Sequence, residues 1–205
     1  MPLIYIPYQF RCAKTSCFLP FNFIFFLSSI LMIFVYTSVA YPAQTSFIPV
    51  TWINKVGVKV NGNSITKTAS AAWDNSGTAS LESFTGNGGV QFVASAANAS
   101  ANGRPMCGLS STNSNASYDT IEYAIFLRNT GSVIQLQVYE KGIEKGTFGT
   151  YRVGDVFRVE RVGSTIVYKK NGVTFYTSAT LTDLPLLVDT AIYNNGGEIR
   201  NVKVF

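Results

Sequence analysis

Thr165-Ile166-Val167-Tyr168-Lys169-Lys170-Asn171-Gly172-Val173-Thr174-Phe175-Tyr176 is the stretch whose reading decides the fold. Two runs rich in β-branched and aromatic residues flank an Asn-Gly dipeptide. A two-residue type I′ turn needs positive φ at both central positions, which Asn and Gly tolerate best. The stretch therefore predicts a β-hairpin. Just upstream, residues 155–162 alternate Phe157 and Val159 with Arg158 and Glu160, and Gly154-Asp155 turns the chain into them. The whole segment reads as consecutive hairpins of one sheet.

The same texture extends toward the N-terminus. In residues 132–141, Ile134, Leu136 and Val138 fall on one side, and Gln135, Gln137 and Tyr139 on a wet side. In residues 119–128, Ile121, Tyr123, Ile125 and Leu127 share a face opposite Glu122, Ala124, Phe126 and Arg128. Both are period-two patterns of half-buried strands. Further strands are expected at residues 51–54, 64–69, 78–84, 89–94, 105–110, 186–193 and 198–205. No segment of ten residues carries a helical apolar repeat. About a dozen short strands separated by Gly, Asn, Ser and Asp predict an all-β, two-sheet antiparallel sandwich over residues 49–205.

Residues 21–40 hold no charge, follow Arg11 and Lys14, and end on Ser38-Val39-Ala40. This reads as a secretory signal peptide cut after residue 40. A run of that length would also span a bilayer as an N-terminal membrane anchor. Either way the remainder is expected outside the cell or on its surface, with residues 41–48 as a lead-in. Without residues 1–40 the net charge falls from +5 to +3. That mild, scattered excess gives no footprint for nucleic acid, and the Lys169-Lys170 doublet belongs to a hairpin end. Cys107 is the only cysteine beyond the N-terminal segment, so no internal disulfide is expected, and its apolar neighbours suggest a small buried residue. Asn98-Ala99-Ser100 and Asn115-Ala116-Ser117 match the glycosylation acceptor pattern within an Asn/Ser-rich loop region.

The order of several short pieces resembles the concanavalin A-like lectin/glucanase superfamily, a curved jelly roll of two antiparallel sheets. It is most similar to the small SPRY-like and laminin-G-like members. The pieces are Ala72-Trp73-Asp74, Gly88-Gly89-Val90-Gln91-Phe92, Cys107-Gly108-Leu109-Ser110, Tyr139-Glu140-Lys141-Gly142, the stretch from Tyr151 to Val159, the Asn171-Gly172 hairpin and Leu186-Leu187-Val188-Asp189. They cover nearly everything from Thr51 onward. The resemblance implies binding to glycans or to proteins, and fold alone does not choose between them.

Catalysis finds little support. Glycoside hydrolysis needs two carboxylates flanking the scissile bond, and the superfamily's glucanases carry Glu-x-Asp-x-x-Glu on one strand. The nearest approach here, Asp119 and Glu122, would face opposite sides of a strand. The sequence has no histidine, which removes His-based triads and the commoner lyase pair; a Tyr/Arg set would remain. No cofactor is expected. Calcium stays open through Asp74-Asn75-Ser76 or Asp183, without a dense acidic loop.

What remains is binding. Sugars are held by aromatic faces and by planar polar side chains. Gln135, Gln137 and Tyr139, joined by Glu122 and Arg128 if their strands pair, form one candidate surface. Trp73, Asp74 and Asn75 form a second, and Tyr193-Asn194-Asn195 a third. Each has an ordinary structural alternative, a solvent-facing sheet or a packed loop. The expected function is a secreted or surface-exposed, non-catalytic lectin-like module. The alternative is a structural or adhesion protein contacting other surface proteins.

Overall fold

The computed structural model describes residues 46–95 and 103–205. Residues 1–40, and with them the export segment, lie outside the described residues, as does Asn98. The described chain belongs to one compact unit, Gln44–Phe205.

The deciding hairpin forms as expected. Strands β12 (Thr165–Lys170) and β13 (Val173–Leu181) are joined through Asn171 at φ 50° and Gly172 at φ 83°, the two positive angles of the turn. β12 also pairs with β11 (Val156–Val162), so the three run as a meander in one sheet. That sheet continues through β6 (Gly88–Val93), β15 (Glu198–Val204), β4 (Ser64–Lys67) and β3 (Val58–Asn61), with β1 (Ile48–Pro49) also paired to β15. The second sheet has seven strands in the order β10 (Ile143–Thr147), β9 (Ile134–Glu140), β8 (Tyr123–Asn129), β7 (Pro105–Ser110), β14 (Leu186–Ile192), β5 (Gly77–Phe84) and β2 (Trp52–Val56). All pairings are antiparallel.

Period-two alternation fills the space between the sheets. Phe92, Phe157 and Tyr168 from one sheet meet Ile125, Leu136 and Val188 from the other, all essentially inaccessible. Each such side chain contributes roughly 1.5–3 kcal/mol on burial. Cys107 sits in this core, as read from the sequence, and Trp52 beside it. A polar bridge crosses it, where the Tyr168 hydroxyl donates to Glu140 Oε1 at 3.0 Å.

The structure corrects several readings. Residues 118–120 form a 3-10 turn rather than the start of a strand, so the alternation of residues 119–128 begins only at Tyr123. Ile121 consequently leaves the face of Tyr123, Ile125 and Leu127 and packs with Ala124 and Phe126. Ile134, expected inside, is 37% exposed at the start of β9. Gln137, expected on a wet face, is buried because the edge strand β10 lays Glu144 and Thr147 against it. β3 and β10 were not anticipated: β3 alternates Val58 and Val60 with Lys59 and Asn61 over only four residues, and Glu144 and Lys145 break the alternation of β10. β13 runs on to Leu181, past the expected Tyr176. Ile48, placed in the lead-in, is already paired with Val204.

Candidate functional site

The seven-stranded sheet has a second, outward face. In β7, β8 and β14 the residues alternating with the core are Met106, Ala124, Phe126 and Ala191, and these too are buried. They are covered by Trp73, Tyr118 and Tyr139, which remain half-buried on this face. An outer sheet face covered by aromatic rings, rather than wetted by polar groups, departs from an ordinary solvated sheet.

Three irregular segments bring these rings in. The loop between β4 and β5 carries Trp73, and Lys67 at its start anchors it. Lys67 Nζ donates to Ala72 O at 2.7 Å, Asn75 Oδ1 at 2.6 Å and Ile192 O at 2.8 Å. Burial pushes the Lys67 pKa down, and the charge of Asp74 opposes this. The 3-10 turn (Tyr118–Thr120) carries Tyr118, held by Thr120 Oγ1 donating to Ser117 O at 2.9 Å. The turn after β14 carries Tyr193.

The rings form a cluster. The Trp73 centroid lies 5.0 Å from Tyr118, 5.4 Å from Phe126 and 5.2 Å from Tyr193. Tyr139 meets Phe126 edge-on at 5.6 Å and Tyr118 at 6.1 Å. Such tilted and edge-on contacts add to the area buried. Between them lies a hollow of about 180 Å³ lined by Trp73, Arg104, Met106, Tyr118, Phe126, Arg128 and Tyr139. Two guanidinium groups stand in its wall and no carboxylate does.

Each polar group has a definite setting. Arg104 stacks over the Tyr193 ring at 5.0 Å, and its buried Nε has no hydrogen-bond partner among the described residues. Arg128 pairs across β8 and β9 with Gln135, and its Nη1 donates to Gln135 Oε1 at 2.6 Å. The Tyr139 hydroxyl donates to Glu144 Oε2 at 3.3 Å. Burial, then the neighbouring Glu144 carboxylate, raises the Tyr139 pKa, so the phenol stays protonated at neutral pH and serves as a donor.

Of the sequence candidates, Trp73, Arg128 and Tyr139 meet in this hollow, and Gln135 stands behind Arg128. Gln137 lies beside Tyr139's support, its Nε2 donating to Glu144 Oε1 at 2.9 Å, while its Oε1 lacks a partner among the described residues. Glu122 is not part of the group. It precedes β8, six residues or about 20 Å of extended chain from Arg128, and accepts from the Ser111 hydroxyl at 2.5 Å. Asn75 is occupied with Lys67, and Asp74 is exposed on the loop. Asn195 is not a free loop tip either, since its Nδ2 donates to Thr68 O at 2.9 Å. Arg104, Met106 and Tyr118 escaped sequence reasoning. Arg104 lies just before β7 and Tyr118 in a 3-10 turn, where no strand alternation marks the direction of a side chain, and Met106 lies in β7, where both faces are buried.

A second hollow of about 250 Å³ is lined by Asn54, Val56, Gly77, Thr78 and residues 113–116. It is roomier but has neither an aromatic ring nor a charged group, so it offers less to grip a ligand. Among the described residues no three His, Cys, Asp or Glu side chains come together as a metal site.

No protein-family profile and no curated protein matches the sequence. Solved structures do. The chain is similar to a legume lectin-like domain from Entamoeba histolytica, with a TM-score of 0.51 and 11% identity over 81% of this chain and 99% of that one. It is also similar to the PSpry domain of TRIM65, with a TM-score of 0.50 and 10% identity over 80% and 99%. At such identities the likeness concerns the fold. The sandwich is a concanavalin A-like jelly roll, as the order of its sequence pieces suggested.

Proposed function

We propose that the chain is an exported, lectin-like module that holds a single sugar ring in the Trp73–Tyr139 hollow without cleaving it. The observation that carries this reading is the conjunction of aromatic rings, two guanidinium donors on Arg104 and Arg128, and the Tyr139 hydroxyl, whose proton goes to Glu144 and whose oxygen can accept, in one small depression. A sugar ring is apolar on its C–H faces and ringed by hydroxyls, so it needs this pairing of flat apolar walls and directed polar groups. The volume of about 180 Å³ lies below the roughly 300 Å³ of a drug-sized site, which suits one ring rather than a buried chain. The fold permits glycan or protein ligands alike; the hollow favours the glycan.

Binding without turnover follows from the donors present. No carboxylate lines the hollow, so the paired acids of a glycosidase are missing there. Tyr139 stands beside two arginines, the remaining set for a lyase, but its pKa is raised rather than lowered. A phenol in that setting is a poor base.

The test is a glycan array probed with the full chain, kept in solution by mild detergent. Saturable binding that falls at least about tenfold in Tyr139→Ala and Trp73→Ala is expected, each variant being checked for an intact unfolding transition. A blank array with folded protein would refute the reading. Release of unsaturated or reducing ends from a bound glycan would overturn its non-catalytic part.

One observation favours a protein-contact reading instead. β13 is a sheet-edge strand of nine residues without a charge, and Val173 and Leu181 on it are 71% and 62% exposed. Concentration-dependent self-association abolished by Thr177→Lys would support that role.

A further inference from the structure

The two arginines in the hollow are set differently from Arg158, Arg161 and Arg200. Arg158 lies 3.5 Å from Glu160, and Arg200 lies 3.3 Å from Glu198. Arg161 is buried and donates to the carbonyls of Gly86, Leu184 and Phe84. Among the described residues neither Arg104 nor Arg128 has an acid within ion-pair distance. Arg128 has the neutral Gln135 oxygen on one nitrogen. Arg104 lies on the Tyr193 ring, with a buried Nε that no acceptor meets. Stacking holds a guanidinium flat and leaves its edge free to donate.

A buried guanidinium N–H without an acceptor is unfavourable, and a planar anion is its best complement. Glu144 is the acid that touches this region, and it already accepts from Gln137 and the Tyr139 hydroxyl. Its single negative charge offsets at most one of the two guanidinium groups, so the hollow keeps a net positive charge beside flat apolar walls.

Resting on the carbohydrate reading above, we propose that the ring held here carries a carboxylate, and that Arg104 and Arg128 grip it. The ligand class is a uronic-acid residue of an acidic polysaccharide. Its C–H face would lie on the aromatic walls, with its carboxylate directed to the two guanidinium groups. A neutral sugar would satisfy the rings but leave both arginines with hydroxyls alone.

The experiment is calorimetric titration of the full chain with an oligouronate and with the same oligosaccharide after reduction of its carboxyl groups. A sulfated neutral oligosaccharide and an acidic peptide serve as further ligands. The acid form should bind at least about tenfold more tightly than the reduced form, with an advantage that shrinks as salt is raised. Arg104→Gln and Arg128→Gln should each bring the ratio of the two affinities toward one. If Arg128→Gln unfolds through loss of its Gln135 contact, Arg104→Gln and the salt dependence still decide. Equal binding of acid and reduced forms would overturn this proposal and leave the carbohydrate reading standing. Equal binding of the sulfated chain would overturn the carboxylate preference. Acidic peptide bound as tightly as the oligouronate, or no sugar bound at all, would overturn both.

Discussion

Asp189 lies on β14, buried to 1% exposure, with its Oδ2 accepting from the Ser110 hydroxyl at 2.9 Å and its Oδ1 from Thr190 N–H at 2.8 Å. Burial raises its pKa from 3.8 to about 7, with the charge of Glu122 adding to the rise and the two hydrogen bonds opposing it. Because the folded value lies above the unfolded one, the contribution to stability is full below about pH 4. It is lost progressively as pH rises to about 7. The interval corresponds to roughly 4 kcal/mol at most. Denaturant unfolding across this range should show a falling component that disappears in Asp189→Asn, while other carboxylates pull the opposite way. Residues that combine a type with a strand position were legible from sequence, and so Tyr139 and Arg128 were found. Gln137 was misread because its burial depends on a neighbouring strand that its own alternation does not reveal. Arg104 and Tyr118 were invisible for a different reason: outside a strand, residue type does not say where a side chain points.

Elements differ in how tightly their surroundings specify them. At Gly108 on β7 an added Cβ would lie 1.9 Å from Tyr123 O and 2.7 Å from Ala124 Cα. At Gly172 in the hairpin an added Cβ would meet nothing, and only the positive φ resists it. Gly108→Ala should therefore cost about 3 kcal/mol or more, and Gly172→Ala about 1–2, which equilibrium denaturation can rank. The reverse order would mean that β7 and β8 can part without penalty. Lys67 ties β4, β14 and the Trp73 loop through three carbonyl-type acceptors. Lys67→Met would leave those acceptors unmet at roughly 1–3 kcal/mol each. It should lower the unfolding midpoint and weaken ligand binding together, since Trp73 would lose its anchor. The strands that form the core and the Asn-Gly turn were readable because burial imposes period two on them. The edge strand β10 places Glu144 and Lys145 at successive positions, which is how edges resist pairing with other chains, and the same charges hid it; β3 carries one charge, Lys59, and its four residues are too short a run to stand out.

At the scale of the whole molecule, the architecture leaves the aromatic-lined hollow and the core on opposite sides of one sheet. Contacts in the hollow can thus be altered with little disturbance of the packing that holds the sheets together. The hollow's polar groups are guanidinium donors and protonated phenols, and no carboxylate lines it to ligate a hard cation. Binding in the hollow should accordingly be unchanged by a chelator, in contrast to a site built on the Asp74 loop. A drop in affinity on chelation would place the ligand elsewhere. The class of the fold was accessible from the order of turns and strands. The site was accessible only in part, because it is assembled from five separated stretches of chain.

The pairing of β1 with β15 has a consequence for how the sandwich can be carried and rearranged. The Phe47 ring lies tilted against Phe205 at 5.0 Å, so Phe47 and Phe205 lie side by side at β15, an interior strand of the eight-stranded sheet. A short linker could join them, and a new start could be opened at an exposed turn such as Gly163-Ser164, with every strand keeping its neighbours. The order in which the strands are synthesised is thus separable from the order in which they pack.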